Sequence, residues 1–437
     1  MLAAVGGRYE WSVLPCLIAS AALFLASRAR VASDPSTRAI DLVLVAALIV
    51  IALQLLPLPP ALLAALSPAT RTLQDAYALV PLAGWRSVSI HVSSTRTSLE
   101  LAAAAALVFW ASRDAFVRGG SRAAIRLLAW VGFVCSLVSL AQRATAPRTI
   151  YWTWTLPDPR AMPFGPFVDR NDLASWLVLT ISVVTGYLVW RTRVHMDARA
   201  VHGWRASIVA LSDGEAIGIL GCLCAMLITL AATLSRSGFI AMVVSATVGT
   251  ALAQRHRGHG LRVGMAAAFI VVAVAGWLNA EGLIQRVRST LDASGVGRVA
   301  IWRETLHIVR AFPLLGTGAG TFAEAMFIYQ RTATQVLFNA AHNEYLQILT
   351  EGGVVLLAVV VAGLALLAAT ARARLAYDDG PYRFVRVGAC AALAGIAVQS
   401  LWETGLRSPA NLLLAAIIAA IAVRPLDHRE SEEVPAA

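Results

Sequence analysis

Eleven nearly unbroken apolar stretches constrain this chain more than any other feature. They fall near 11–27, 39–56, 97–112, 127–142, 172–190, 214–234, 237–254, 261–280, 352–370, 385–402 and 409–423. In lipid every backbone polar group must be satisfied internally, so runs of this kind read as membrane-crossing helices. The pattern predicts an all-α, polytopic transmembrane fold of about 11–12 spans, with room for a twelfth in 57–96. Composition agrees, because 58% apolar and 14% charged residues do not suit a water-soluble chain of this length. The first run, 11–27, lacks a small-residue cleavage site and reads as a span rather than a leader.

Charge placement suggests an orientation. The net charge of +11 rests wholly on Arg, since the sequence holds no Lys. Short connections at 28–38, 113–126, 191–205, 255–262 and 371–386 hold clustered Arg, which marks them as cytoplasmic. The alternate connections 57–96, 143–171 and 281–351 then face outward. A basic balance of this origin argues for a membrane and against a nucleic-acid partner. All five Cys sit in apolar runs, without disulfide or metal-site spacing. The pair Asp378-Asp379 falls on a cytoplasmic connection and reads as solvated.

The outward connections carry the unusual residues. Segment 57–96 has Pro57, Pro59, Pro60 and Pro68, then an amphipathic piece near 70–79, and reads as surface-lying. Segment 143–171 sets Trp152, Trp154, Phe164 and Phe167 among prolines. These aromatics fit either interfacial anchors or a platform for sugar rings. The segment ends in the polar cluster Asp169-Arg170-Asn171-Asp172. At Leu234-Ser235-Arg236-Ser237-Gly238 two apolar runs meet with almost no link, so the chain turns back at once. Arg236 there fits either snorkelling to headgroups or phosphate binding through its planar fork.

In the long connection 281–351, Arg298 and Trp302 lie one helical turn apart, with Arg303 beside them. The glycines of Phe312–Phe322 lack the strand context of a nucleotide-binding loop and read as a tight turn between two helices. The stretch from His342 to Gly353 then leads into a span. Asn343, Gln347 and Glu351 recur every four residues, one helix face. On one reading Asn343 caps this helix and His342 is merely satisfied; on the other, the ionisable His at a membrane boundary is used. No HExxH, GxSxG or P-loop occurs, and no outer DxD pair, so a metal-dependent sugar transfer is disfavoured.

Four pieces in order resemble the bacterial O-antigen ligase and O-antigen polymerase superfamily of membrane glycosyltransferases. They are Asp169-Arg170-Asn171-Asp172-Leu173-Ala174; Ser235-Arg236-Ser237-Gly238; Arg298 with Trp302 and the following PLLGTGAGTF; and HNEYLQILTEGG. Two departures stand out: Leu356 occupies the position of a second glycine after Gly353, and Ile240 that of a leucine after Arg236.

The resemblance implies a glycan moved from undecaprenyl pyrophosphate to an acceptor hydroxyl at the periplasmic face of the bacterial inner membrane. The acceptor is lipid A–core for a ligase, or a second lipid-linked glycan for an O-antigen or exopolysaccharide polymerase. It implies His342 as the catalytic base, oriented by Asn343 or a nearby carbonyl, with Glu344 as the alternative. Arg236 and Arg298 are expected to bind the pyrophosphate, with Arg170 and Arg303 in reserve. No metal or cofactor is expected, and direct displacement would invert the anomeric centre. The expected divisions are 1–164, a catalytic region 165–370 including the loop 281–351, and 371–437. A transporter of a lipid-linked sugar is the reading from another class. It would show internal repeats and mid-membrane charges; no repeat is visible, and the polar groups lie at span ends.

Overall fold

The computed structural model describes residues 6–7, 9–32, 34–78, 84–156, 163–198, 213–253, 297–331 and 337–425. Within them the chain is all-α, with fourteen α-helices and one two-stranded hairpin. The first half comprises α1 (Val13–Ser27), α2 (Arg38–Leu53), α3 (Pro60–Leu66), α4 (Pro68–Ala76), α5 (Val92–Val117) and α6 (Ser121–Thr145). The hairpin β1 (Thr149–Ile150) and β2 (Trp154–Thr155) follows. The second half comprises α7 (Arg170–Ala198), α8 (Gly214–Thr233), α9 (Arg236–Ala253), α10 (Arg298–Ala311), α11 (Phe322–Tyr329), α12 (Glu344–Tyr377), α13 (Arg383–Gln399) and α14 (Pro409–Val423). Every expected apolar run is helical except 261–280, which lies outside the described residues. Among the described residues, six helices are long and apolar enough to cross a membrane.

The bundle is organised around α7, whose apolar window is 89% buried, whereas that of α12 is 11% buried and faces outward from the protein. Lipid gives helices no hydrophobic reason to associate, so close approach must come from small residues. Gly186 on α7 and Gly388 on α13 supply it. A Cβ on Gly186 would lie 2.5 Å from the Phe384 carbonyl oxygen, and one on Gly388 would lie 2.6 Å from that of Ser182. On its other side α13 meets α9, where the Ser245 hydroxyl donates to the Ala391 carbonyl at 2.9 Å. Helix α13 is thus wedged between α7 and α9, and its C-terminal end reaches the ends where those two helices begin.

Helices α8 and α9 are joined as tightly as the sequence suggests. Leu234 caps α8 in the left-handed conformation, and the Ser235 hydroxyl accepts from the Gly238 N–H at 3.2 Å to start α9. They then diverge, α8 packing on α6 and α7 while α9 packs on α13. Segment 57–96 forms the short helices α3 and α4, each opened by a proline, and no span among its described residues.

The long connection between α9 and α12 contains a small helical layer, α10 and α11, around Ile301, Ile308, Phe312, Phe322 and Met326. Its glycine turn docks on a break in α12. Gly353 has φ 63° and ψ −168°, and a Cβ there would meet the Leu314 carbonyl oxygen at 2.1 Å. Across the break, Val354 N–H donates to the Pro313 carbonyl at 2.9 Å. Residues 354–377 beyond it are about 36 Å long at ~1.5 Å per residue, enough to span. Leu356, the departure from the family pattern, is buried with Ile51 and Ala319 and fills the space under this turn.

One expectation is corrected, and one small element is new. Asp378 is not solvated: it is 7% exposed and accepts from Arg386 Nε at 3.1 Å, inside the bundle end. The hairpin at 149–155 was not foreseen in an all-α chain, and its two-residue strands are too short to leave a period in the sequence.

Candidate active site

His342 lies where α10, α12 and the C-terminal end of α13 converge, and its backbone is held on both sides. The Trp302 indole N–H donates to the Ala341 carbonyl at 3.0 Å, and the Ala341 N–H donates to Gln347 Oε1 at 3.0 Å. Beyond it, the Glu344 N–H donates to the Ser400 carbonyl at 2.8 Å. Between these anchors His342 takes φ 48°, the left-handed region that costs a side-chain-bearing residue on the order of 1–3 kcal/mol. The surrounding bonds hold a strained residue in place, an arrangement typical of functional positions.

Glu403, beyond the end of α13, is the residue sequence reasoning missed. It is 4% exposed, and it gathers the candidate residues around its two oxygens. Oε2 lies 3.3 Å from His342 Nδ1. Oε1 accepts from the Arg298 guanidinium and, at a long 3.5 Å, from the Ser237 hydroxyl. Gln399 stands one helical turn before Glu403 and approaches the same hydroxyl at 3.5 Å. The signal was present as Gln399, Glu403 and Arg407, polar residues four apart at the junction of two apolar runs.

The remaining expected residues divide. Asp169 belongs to the same electrostatic neighbourhood, where burial and then Glu403 push its carboxyl pKa up against the Asn171 N–H, His342 and Arg170. Arg170 is the first residue of α7, one position on. Arg236 is the first residue of α9, exposed, and no hydrogen bond or ion pair engages it among the described residues. Arg303 is not brought to the cluster: it shares an exposed face of α10 with Val299, Leu306 and Arg310, turned away from Arg298.

Asn343 and Glu344 serve the scaffold. Asn343 Oδ1 accepts from the Leu346 N–H at 3.0 Å, capping α12, while the side chain in contact with His342 Nδ1 is Glu403. Glu344 faces a second cluster, where Arg407 Nε lies 2.7 Å from its Oε1 and Arg407 Nη1 lies 2.6 Å from Glu351 Oε2. Burial alone would push the Arg407 pKa down, but Glu351 and then Glu344 outweigh it and push it up. Glu351 also accepts from the Gly320 N–H at 2.8 Å and from Gln347 at 3.1 Å. This network ties the glycine turn, the start of α12 and the α13–α14 connection into one support beneath His342.

The arrangement suits proton transfer. With Nδ1–H directed at a carboxylate, the lone pair of the neutral imidazole is on Nε2, on a side chain 33% exposed. The cluster draws on the starts of α7 and α9, on α10 and α12, and on residues 399–407. It therefore extends past the catalytic region 165–370 expected from sequence.

No curated protein matches this chain. The family comparison agrees with the motifs, and with the helical membrane architecture it indicates a multi-pass membrane protein with an O-antigen ligase- or polymerase-like function in general. Residues 221–361, which include Arg236, Arg298 and His342, match the family model described as O-antigen ligase, a match that supports membership of that superfamily.

Proposed function

We propose that this protein is an inverting glycan transferase. It takes a glycan from undecaprenyl pyrophosphate and joins it to a hydroxyl of lipid A–core, on the periplasmic side of the bacterial inner membrane. The observation that carries the reading is the Glu403–His342 contact, which leaves Nε2 free as a base. In the step, Nε2 takes the proton of the acceptor hydroxyl while its oxygen attacks the anomeric carbon. The bond from that carbon to the pyrophosphate oxygen breaks, and polyprenyl pyrophosphate leaves with the electron pair. Pyrophosphate is already a good leaving group, so cationic stabilisation of its developing charge is the main demand. Arg236, at the start of α9 with its guanidinium unengaged, fits that role, since a helix N-terminus also favours anions. Arg298 and Arg170 border the same cluster and add positive charge; Arg298 is shared with Glu403.

The test is transfer by purified protein in detergent, given lipid-linked oligosaccharide and lipid A–core. Covalent product formed without a membrane barrier supports a transferase and rules out pure transport. Product formed only when a second lipid-linked repeat replaces lipid A–core would make it a polymerase. Absence of product with either acceptor would overturn the proposal.

A further inference from the structure

The turn between β1 and β2 is built at a cost. Tyr151 and Trp152 are its central residues, and both have positive φ, 52° and 63°. Such positions normally go to Asn, Asp or Gly, because a side chain crowds the backbone there. The turn is closed by the Thr153 N–H donating to the Ile150 carbonyl at 3.3 Å, and fastened to α6 by the Tyr151 N–H donating to Gln142 Oε1 at 2.8 Å. What the strain achieves is display. Trp152 is 47% exposed and Trp154 is 36% exposed. Trp154 stacks on Tyr9, with ring centroids 4.8 Å apart and planes 17° from parallel, so its orientation is fixed.

Two features separate this hairpin from a membrane-interface anchor. An anchoring Trp directs its indole N–H to headgroups or water. Here Trp152 Nε1 donates instead to the Thr145 hydroxyl at 2.7 Å. Anchors also need no particular backbone, whereas this turn holds two large residues in a disfavoured one. The hairpin is continuous with the candidate site as well. Ile150 and Leu156 form a small buried core with Tyr9, Tyr151 and Val168, and Val168 directly precedes Asp169.

We propose that Trp152 and Trp154 form a stacking platform for pyranose rings, receiving the glycan of the lipid-linked substrate as it enters the site. The inference rests on the transfer reading above. Indole faces meet the C–H faces of sugars, and a pair of rings held in place, Trp152 through its indole N–H and Trp154 through its stack on Tyr9, offers such faces without an ordering cost.

The experiment compares two donors on the same prenyl pyrophosphate, one bearing its complete glycan and one trimmed to a single sugar. Trp152→Ala and Trp154→Ala should each raise KM for the complete donor roughly three- to tenfold, as expected for one lost ring contact. Their kcat, and their KM for the trimmed donor, should stay native, and the Phe variants at both positions should keep the native KM. Equal shifts for both donors would show a general membrane or folding role and overturn the platform, as would unchanged KM in both Ala variants. If native protein uses neither donor, the transfer reading fails instead. The platform is then judged by equilibrium dialysis with the free glycan released from the host's lipid-linked pool by mild acid. Binding that is lost in the Ala variants and kept in the Phe variants supports it; no binding by native protein overturns it.

Discussion

Glu403 stands 61 residues after His342 in the chain, yet its carboxylate lies 3.3 Å from His342 Nδ1. Its other oxygen is engaged by Arg298, 105 residues upstream. A single buried carboxylate thus contacts both the imidazole and the Arg298 guanidinium. The contact depends on α13 being wedged between α7 and α9, which brings Glu403 to the site end of the bundle. Helix packing through Gly186 and Gly388 is therefore coupled to the geometry of the candidate base.

If Glu403 sets the tautomer and orientation of His342, Glu403→Gln should lower kcat by roughly 10²–10⁴-fold while the donor still binds. Gln retains the size of Glu and can still accept a hydrogen bond, but it lacks the charge that stabilises imidazolium. His342→Ala and His342→Gln should fall in the same range. Because the two residues act as a unit, the double variant should be scarcely slower than either single one. Transfer rates across pH 5–8, measured beside donor binding, check this. A His342→Gln protein with native rate would show that no base is needed at this position.

Arg236 offers a planar fork that no other described residue engages. Arg236→Lys keeps the charge and loses the paired hydrogen bonds. It should therefore raise donor KM nearly as much as Arg236→Ala, roughly 10- to 100-fold. Initial rates against donor concentration decide it: near-native KM in the Lys protein would mean that charge alone suffices.

The spans were legible because a membrane demands long apolar runs, and each described run became a helix. Arg298 with Trp302, the glycine turn and the cap at Asn343 were legible too, since each is local and has a fixed spacing. Glu403 was not. It sits one residue past the expected run 385–402, and its meaning comes from partners far away in the chain. Glu344 shows a related limit: next to His342 in sequence, it turns on the helix toward Arg407. Arg303 likewise shares a helix with Arg298 but occupies another face. The strained hairpin left no signal, because its sequence carries aromatics where such turns usually have Asn or Gly.

Among the described residues Arg407 is the only counter-charge bonded to both Glu344 and Glu351, whose side chains are 9% and 2% exposed. Arg407→Leu would leave two buried carboxylates facing each other, and losing one side of such a network costs roughly 3–5 kcal/mol. A clear drop in the thermal midpoint in detergent is expected, with Glu344→Gln plus Glu351→Gln added to Arg407→Leu recovering most of it. A midpoint equal to native in Arg407→Leu alone would mean that water already supports these carboxylates.

Asp169 introduces a pH dependence of stability with a definite sign. Burial, and then the neighbouring Glu403, raise its folded pKa above 3.8, against the Asn171 N–H, His342 and Arg170, which lower it. The unfolded chain therefore loses this proton at lower pH than the folded protein. The stability the group contributes is complete below 3.8 and declines as pH rises through the folded value. At neutral pH this raised pKa is thus a net cost to the fold. Asp169→Asn removes that charge, and its side-chain oxygen can still accept the Asn171 N–H, which now donates to Asp169 Oδ1 at 2.7 Å. The Asn protein should unfold at a higher temperature than native at pH 7, with the gain shrinking as pH falls and vanishing below 3.8. Thermal unfolding in detergent at several pH values tests this. A lower midpoint for Asp169→Asn at pH 7 would reverse the sign, meaning that attraction to His342 and Arg170 outweighs burial at this carboxylate.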